Sequence, residues 1–215
     1  MTQPVYLVRH GQSEWNVLRL TQGQTPHPRL TATGRAQARA AAETVARDLT
    51  GRGSVPARVL TSDLVRARET AHIIGERLAV APQIDRRLRE QHLGALEGRG
   101  YDETWAAAVA HDWSDPGLPV AGGESLLDVR RRMVAVLAGL DRSVPTILVS
   151  HGDAIRTAIA HLRGEEPHQA AWVEVPNGAV ARLGKRLTWL RPVSGPVSGP
   201  VSGPASGAAP AVPPR

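Results

Sequence analysis

The chain has 215 residues, a formal net charge of +6 and no cysteine, which excludes a disulfide framework and a thiolate metal centre. No run reaches the ~18 apolar residues that a membrane-spanning helix needs, and the chain does not open on a basic stretch followed by an apolar one, so neither a membrane partner nor a secretory signal is expected. A cytoplasmic location is the expectation, and the length suits one domain with a substantial core.

The first strand is predicted over 5–9, where Val5-Tyr6-Leu7-Val8 runs into Arg9-His10-Gly11. A helix rich in Ala and Arg follows from Thr33 to Leu49, with Thr31 or Thr33 as its N-cap. A second strand is expected over 57–61, and Asp63 then opens a helix from Leu64 to about Leu78. Residues 99–124 differ in character. They hold Tyr101, Trp105 and Trp113, then Asp115-Pro116-Gly117 and Gly122-Gly123, and read as a short helix and loop inserted near the site. Trp105 and Trp113 are expected to pack within that insertion.

Ser125, with Asp128 three residues on, begins a helix whose Val129, Met133, Val136, Leu137 and Leu140 recur at helical spacing. A late strand over 146–150 ends in Ser150-His151-Gly152, and Asp153 heads a further helix to about Leu162. The runs 171–175, 179–183 and 187–190 alternate as edge strands do. From Pro192 the chain repeats Pro-Val-Ser-Gly three times and then Pro-Ala-Ser-Gly, a composition expected to be disordered over 192–215. Alternating strands and helices predict an α/β fold, a three-layer α/β/α sandwich with a mostly parallel central sheet spanning 1–191.

Lys185 is the sole lysine. Base composition accounts for most surface arginines, and Arg130-Arg131-Arg132 reads as one turn of a solvated helix face. Aromatics are scarce, with no Phe, five Trp and two Tyr, which argues against base stacking and a nucleic-acid partner. The arginines at strand ends are a different matter. Open α/β sheets place their sites at the carboxyl ends of parallel strands, which would collect Arg9, His10, Arg66 and His151 over helix N-termini. Planar guanidinium groups and helix N-termini both favour phosphate.

Leu7-Val8-Arg9-His10-Gly11-Gln12-Ser13-Glu14-Trp15-Asn16 resembles the signature of the histidine phosphatase superfamily, the phosphoglycerate-mutase-like proteins. Further segments agree in order: Gln22-Gly23, Leu30-Thr31-Ala32-Thr33-Gly34, Ser62-Asp63-Leu64-Val65-Arg66-Ala67 with Thr70-Ala71, Leu88-Arg89-Glu90, Gly122-Gly123-Glu124-Ser125 and Ser150-His151-Gly152. The resemblance covers roughly residues 5 to 185. It implies that His10 is the nucleophile and that Arg9, Arg66 and His151 hold the phosphoryl oxygens. Asn16, Gln22, Gly23 and Gly152 are the implied further substrate contacts. Glu90 is implied as general acid toward the leaving oxygen and then base for water. No metal and no other cofactor is implied. The arginines beside His10 should also keep its imidazole neutral and reactive.

The chain departs from the family pattern in two places. Leu96 stands where many members carry tryptophan, and Asp153 stands where a small or apolar residue is common. Asp153 reads either as a helix N-terminal anion or as a carboxylate that raises the pKa of His151. His92, two residues from Glu90, is a candidate neighbour of the site, whereas His27, His72, His111, His161 and His168 read as structural or exposed.

The expected function is phosphomonoester hydrolysis without metal, through a phosphohistidine, on a small phosphorylated metabolite. The alternatives are a 2,3-bisphosphoglycerate-dependent phosphoglycerate mutase and a non-catalytic module that binds phosphorylated ligands. Mutases resembling this chain usually carry a longer insertion, and 16–23 looks more like the phosphatase branch. The stretch 87–94 is similar to the glucosyl-3-phosphoglycerate phosphatase branch, leaving sugar phosphates, phosphoglycerate derivatives and α-ribazole phosphate as substrate classes. Family members are often dimers, so a homodimer is also an expectation.

Overall fold

Val5-Tyr6-Leu7-Val8 is apolar at every position because both faces of its strand are covered. In the computed structural model, which describes residues 3–54, 57–184 and 186–192, β1 (Val5–Arg9) lies inside a six-stranded sheet. The sheet order is β3 (Gln83–Ile84), β2 (Arg58–Thr61), β4 (Thr146–Ser150), β1, β5 (Val180–Leu183), β6 (Leu187–Leu190). The pairs β1–β4, β2–β4 and β2–β3 are parallel, and β5 and β6 add an antiparallel edge.

Helices cover both faces. Tyr6 and Val8 pack with Ala41, Ala42, Val45 and Leu49 of α2 (Ala32–Gly51) and with Ala67, Ala71 and Ile74 of α3 (Val65–Leu78). Val5 and Leu7 point the other way, onto Val129, Met133 and Val136 of α5 (Leu126–Ala138) and Ile155 and Ile159 of α6 (Gly152–Leu162). The short helices α1 (Glu14–Val17) and α4 (Tyr101–Ala110) lie in the connections. The result is the three-layer α/β/α sandwich with a mostly parallel sheet. Among the described residues no helix is long and apolar enough to cross a membrane.

Capping chemistry sets two helix starts. Thr31 Oγ1 accepts from Gly34 N at 3.0 Å to start α2, and Ser125 and Asp128 exchange side-chain and backbone bonds to start α5. Asp63 does not cap α3. Leu64 holds that position, and Asp63 is drawn into a two-point ion pair with Arg89, at 2.6 and 2.5 Å. Residues 171–175 are irregular rather than a strand, because their polar groups serve the site described below. The repeat tail expected from Pro192 lies outside the described residues from 193 onward.

One close approach fixes where β1 delivers its last residues. A Cβ on Gly11 would overlap the Gly34 carbonyl, and one on Gly34 would overlap the Gln12 carbonyl. The segment after β1 therefore rests directly on the first turn of α2, which no side chain at either position permits.

Candidate active site

The parallel strands end in step. Arg9 is in register with Ser150, His10 N donates to Ser150 O at 3.0 Å, and Ser62 N donates to Val149 O at 3.1 Å. Three chain segments thus present His10, His151 and Arg66 at one edge of the sheet. All three side chains are buried. The imidazole centroids of His10 and His151 lie 5.1 Å apart.

His10 Nδ1 sits 2.7 Å from the Gly11 carbonyl oxygen. A carbonyl only accepts, so Nδ1 carries the proton and Nε2 keeps its lone pair. Burial, then the charges of Arg66 and Arg9, hold the His10 pKa well below its ordinary value. His151 is depressed likewise, by burial first and then by Arg66 and His10. Gly11 N donates to Thr70 Oγ1 at 3.1 Å, tying this turn to α3.

Arg66 is fully buried, and the Glu90 and Glu97 carboxylates act on its charge without forming an ion pair with it among the described residues. Its terminal nitrogens donate to the carbonyls of Thr25 (2.9 Å) and Gly23 (2.7 Å). Gly23 adopts φ +45°, which turns that carbonyl inward at no steric cost. Burial lowers the Arg66 pKa to about 10, so it stays cationic at neutral pH. Arg9 donates Nη1 to the Val175 carbonyl at 2.5 Å. Arg9 Nε, Arg66 Nε and both ring nitrogens of His151 are buried without a hydrogen-bond partner among the described residues. Buried polar groups are normally paired, and Arg9 Nε, Arg66 Nε and the single N–H of a neutral His151 are donors that an anion could satisfy.

Glu90 lies at the start of α6, beside Arg9. Its carboxylate accepts from Gln91 N (2.9 Å), Asp153 N (3.1 Å) and Ala154 N (3.1 Å), the last two at the start of α6. Burial raises its pKa, the Asp153 charge raises it further, and the backbone bonds and Arg9 oppose them. The net direction is up, so protonation reaches closer to neutral pH than for a free carboxyl. Gly152 gives the room for this packing. A Cβ there would stand 3.2 Å from Arg156 Nη1, 3.6 Å from Glu90 Oε2 and 3.7 Å from Arg9 Cζ.

Asn16 and Gln22 are joined through Ser13. Asn16 Oδ1 accepts from Ser13 N at 2.9 Å, and the single Ser13 hydroxyl proton lies between Asn16 Oδ1 (3.0 Å) and Gln22 Oε1 (2.8 Å). Among the described residues neither amide nitrogen has a hydrogen-bond acceptor. Gly23 contributes its carbonyl to Arg66. Among the described residues no group of three or more His, Asp or Glu side chains is arranged to hold a metal ion.

Several supports carried no role in the sequence reading. Asn177 Nδ2 donates to His10 O (3.2 Å) and Asn16 Oδ1 (3.3 Å), and Gly178 N reaches His10 O at 3.1 Å. The Asn177-Gly178 pair is a turn signal that points to this loop. Arg132 donates to the carbonyls of Arg87 (2.8 Å), Arg89 (2.5 Å) and Glu90 (2.9 Å) and to Glu124 (2.9 Å). It therefore leaves the solvated face assigned to its Arg-Arg-Arg run. Gln24 Nε2 adds a bond to Glu90 O at 3.0 Å.

Asp153 acts on Glu90 and pairs with Arg156 at 2.6 Å, and is not among the charges that shift His151. His92 faces Glu97 at 3.7 Å, beside the acid's loop. Trp113 packs inside the insertion, donating Nε1 to Ala108 O at 2.7 Å.

The chain has known counterparts. A curated relative, "Probable phosphoglycerate mutase GpmB" of Photorhabdus laumondii, is 36% identical over 189 residues, 83% of each chain. Among solved structures, "Mycobacterial hydrolase 1" superposes with a TM-score of 0.72 at 30% identity, covering 88% of this chain and 97% of the other. A mycobacterial glucosyl-3-phosphoglycerate phosphatase superposes with a TM-score of 0.71 at 32% identity, covering 85% and 90%. The sequence pattern of the histidine phosphatase superfamily, branch 1, matches residues 5–186. The chain belongs to that superfamily.

Proposed function

We propose that the chain is a phosphomonoesterase that transfers the phosphoryl group first to His10 and then to water. The observation that carries this reading is the pairing of one free imidazole lone pair, His10 Nε2, with orphaned donors on Arg9, Arg66 and His151. In the first step His10 Nε2 bonds to phosphorus and the phosphorus–oxygen ester bond breaks. Glu90 gives its proton to the departing alkoxide. In the second step water attacks phosphorus, Glu90 takes the water's proton, and the phosphorus–nitrogen bond breaks to release inorganic phosphate and neutral His10.

Charge spreads over the three equatorial oxygens in such transfers. Arg9, Arg66 and His151 are the groups proposed to meet it, with Asn16, Gln22 and the α6 backbone at Gly152 as further contacts. This is electrostatic stabilisation by donors already held in place. The substrate is proposed to be a small phosphorylated metabolite, and the charge supplied by the arginines makes a metal unnecessary.

A phosphoglycerate mutase is the second reading, favoured by the names of the curated relatives. The two differ in the acceptor of the second step. The deciding assay measures phosphate release and 3- to 2-phosphoglycerate interconversion side by side, with a chelator present. Hydrolysis that outruns interconversion supports the proposal. Efficient interconversion that depends on 2,3-bisphosphoglycerate reverses it.

A further inference from the structure

Glu97 follows the short helical turn Gly94–Leu96, and the phosphoryl chemistry gives it no part. Its side chain is only 18% exposed. Oε1 accepts from Gln24 N at 2.8 Å and from Leu93 N at 3.1 Å, and Oε2 from Thr25 Oγ1 at 3.4 Å. His92 Nε2 stands 3.7 Å away, and no arginine pairs with Glu97 among the described residues. In a chain this rich in arginine, a sheltered carboxylate spent on backbone N–H groups marks a segment that has to be held still.

The segment it holds aims Arg66. Residues 21–25 form neither helix nor strand. Yet Gly23 O and Thr25 O accept from the two terminal nitrogens of Arg66, at 2.7 and 2.9 Å. The N–H of the residue between them, Gln24, goes to Glu97. A Cβ on Gly23 would lie 2.2 Å from Glu97 Oε1, so the carboxylate rests directly on this turn. Arg66 has no ion pair to orient it among the described residues. Two carbonyls direct a guanidinium only as firmly as their own backbone is fixed, and a displacement of ~1 Å in a site can cost ~10²-fold in rate.

We propose that Glu97 is a positioning residue for Arg66. By holding Gln24 N it fixes the Gly23 and Thr25 carbonyls, and through them the guanidinium that meets the phosphoryl oxygens. This inference rests on the hydrolase reading above, in which Arg66 takes that part. Reach matters here more than charge. The Glu97 charge acts on Arg66 more weakly than the charges of Glu90 and Arg9 do. Glutamine keeps an acceptor at the place of Oε1, and its amide nitrogen can donate to Thr25 Oγ1. Aspartate keeps the charge but is one methylene too short to span Gln24 N and Leu93 N together.

The test measures kcat/KM for p-nitrophenyl phosphate and ethyl phosphate in the full chain. Glu97→Asp is expected to lower it by about 10–10²-fold. The factor should be the same for both esters, because the phosphoryl oxygens that Arg66 meets are common to them. Glu97→Gln should stay within about threefold of the wild type, a rescue by reach without charge. In an Arg66→Met background, Glu97→Asp should cost less than about threefold further, since the group it acts through is gone. A full further loss in that background overturns the positioning role. So does a loss confined to ethyl phosphate, which would place the effect at Glu90, and so does a Glu97→Asp variant at least as active as Glu97→Gln. The order of those two variants decides the matter even if Arg66→Met does not fold. Failure of the wild type to release phosphate from either ester overturns the hydrolase reading, and the positioning role with it.

Discussion

The imidazole rings of His10 and His151 lie 5.1 Å apart at an interplanar angle of 58°, both buried among arginines and neither beside a carboxylate. Two neutral histidines in a cationic pocket are poor metal-free acids but good partners for a phosphoryl group. In the proposed reaction His10 offers a lone pair and His151 its one N–H. The predictions below follow from that division of labour and from the way Glu90 is held.

His10→Ala is expected to reduce hydrolysis of p-nitrophenyl phosphate by at least about 10³-fold, since no other side chain replaces the covalent step. Phosphate release under saturating substrate checks this. Full activity in the alanine variant contradicts the assigned nucleophile.

Glu90→Gln should separate substrates by leaving group. Alkyl phosphates, whose oxygen leaves as a strong base, are expected to lose about 10²–10⁴-fold, and the aryl ester far less. Equal losses on both would show that Glu90 does not supply the proton.

The pH profile carries two signs. His10 must be neutral and its pKa is held well below 6.5, so the acid limb of kcat/KM is expected below that value. Glu90 must be protonated and its pKa is raised above 4.5, so the alkaline limb lies above that value and disappears in Glu90→Gln. An acid limb at the ordinary histidine pKa would contradict the depressed His10.

Folding stability should also depend on pH. Below about 6.5 the unfolded chain protonates histidines that the native state keeps neutral at positions 10 and 151. Stability is therefore lost as pH falls through that window, by on the order of 1 kcal/mol per pH unit for each histidine. Glu90 acts oppositely, costing stability as pH rises from about 4.5 toward its folded pKa. Thermal midpoints between pH 5 and 7 should fall toward acid, and more gently in a variant with one of the two histidines replaced by glutamine.

Arg132→Met should remove its bonds to the carbonyls of Arg87, Arg89 and Glu90 together and leave the Glu124 carboxylate with only the donors His92 N and Gln24 Nε2. A destabilisation of about 2–4 kcal/mol is expected. In the folded fraction, kcat on alkyl phosphates should fall more than kcat on the aryl ester. A uniform loss on both would mean that Arg132 only supports the fold.

Strand ends were legible in the sequence because apolar runs on a doubly covered sheet stop abruptly at charged residues, as Val8 does at Arg9. The start of α5 at Ser125 followed from side-chain capping, which is local, whereas for α2 the same signal left Thr31 and Thr33 as alternatives and the structure selects Thr31. What escaped was contact between distant segments. Nothing near Arg132 shows that its guanidinium reaches three carbonyls in 87–90, and the spacing of Asp63 reads as a cap until Arg89 takes it. Residues 171–175 alternate as a strand does, yet the Val173 and Val175 carbonyls bond Arg156 and Arg9 instead of a neighbouring strand. Asn177 sits in a recognisable turn, but its service to His10 depends on β1 and β5 being adjacent.

The most direct test of the phosphohistidine route is a rapid quench under alkaline conditions during turnover, followed by peptide mass analysis. The expected result is one phosphoryl group on His10, appearing before inorganic phosphate and vanishing as phosphate is released. Steady turnover with no phosphoryl group on His10, or with the group on another residue, would contradict it.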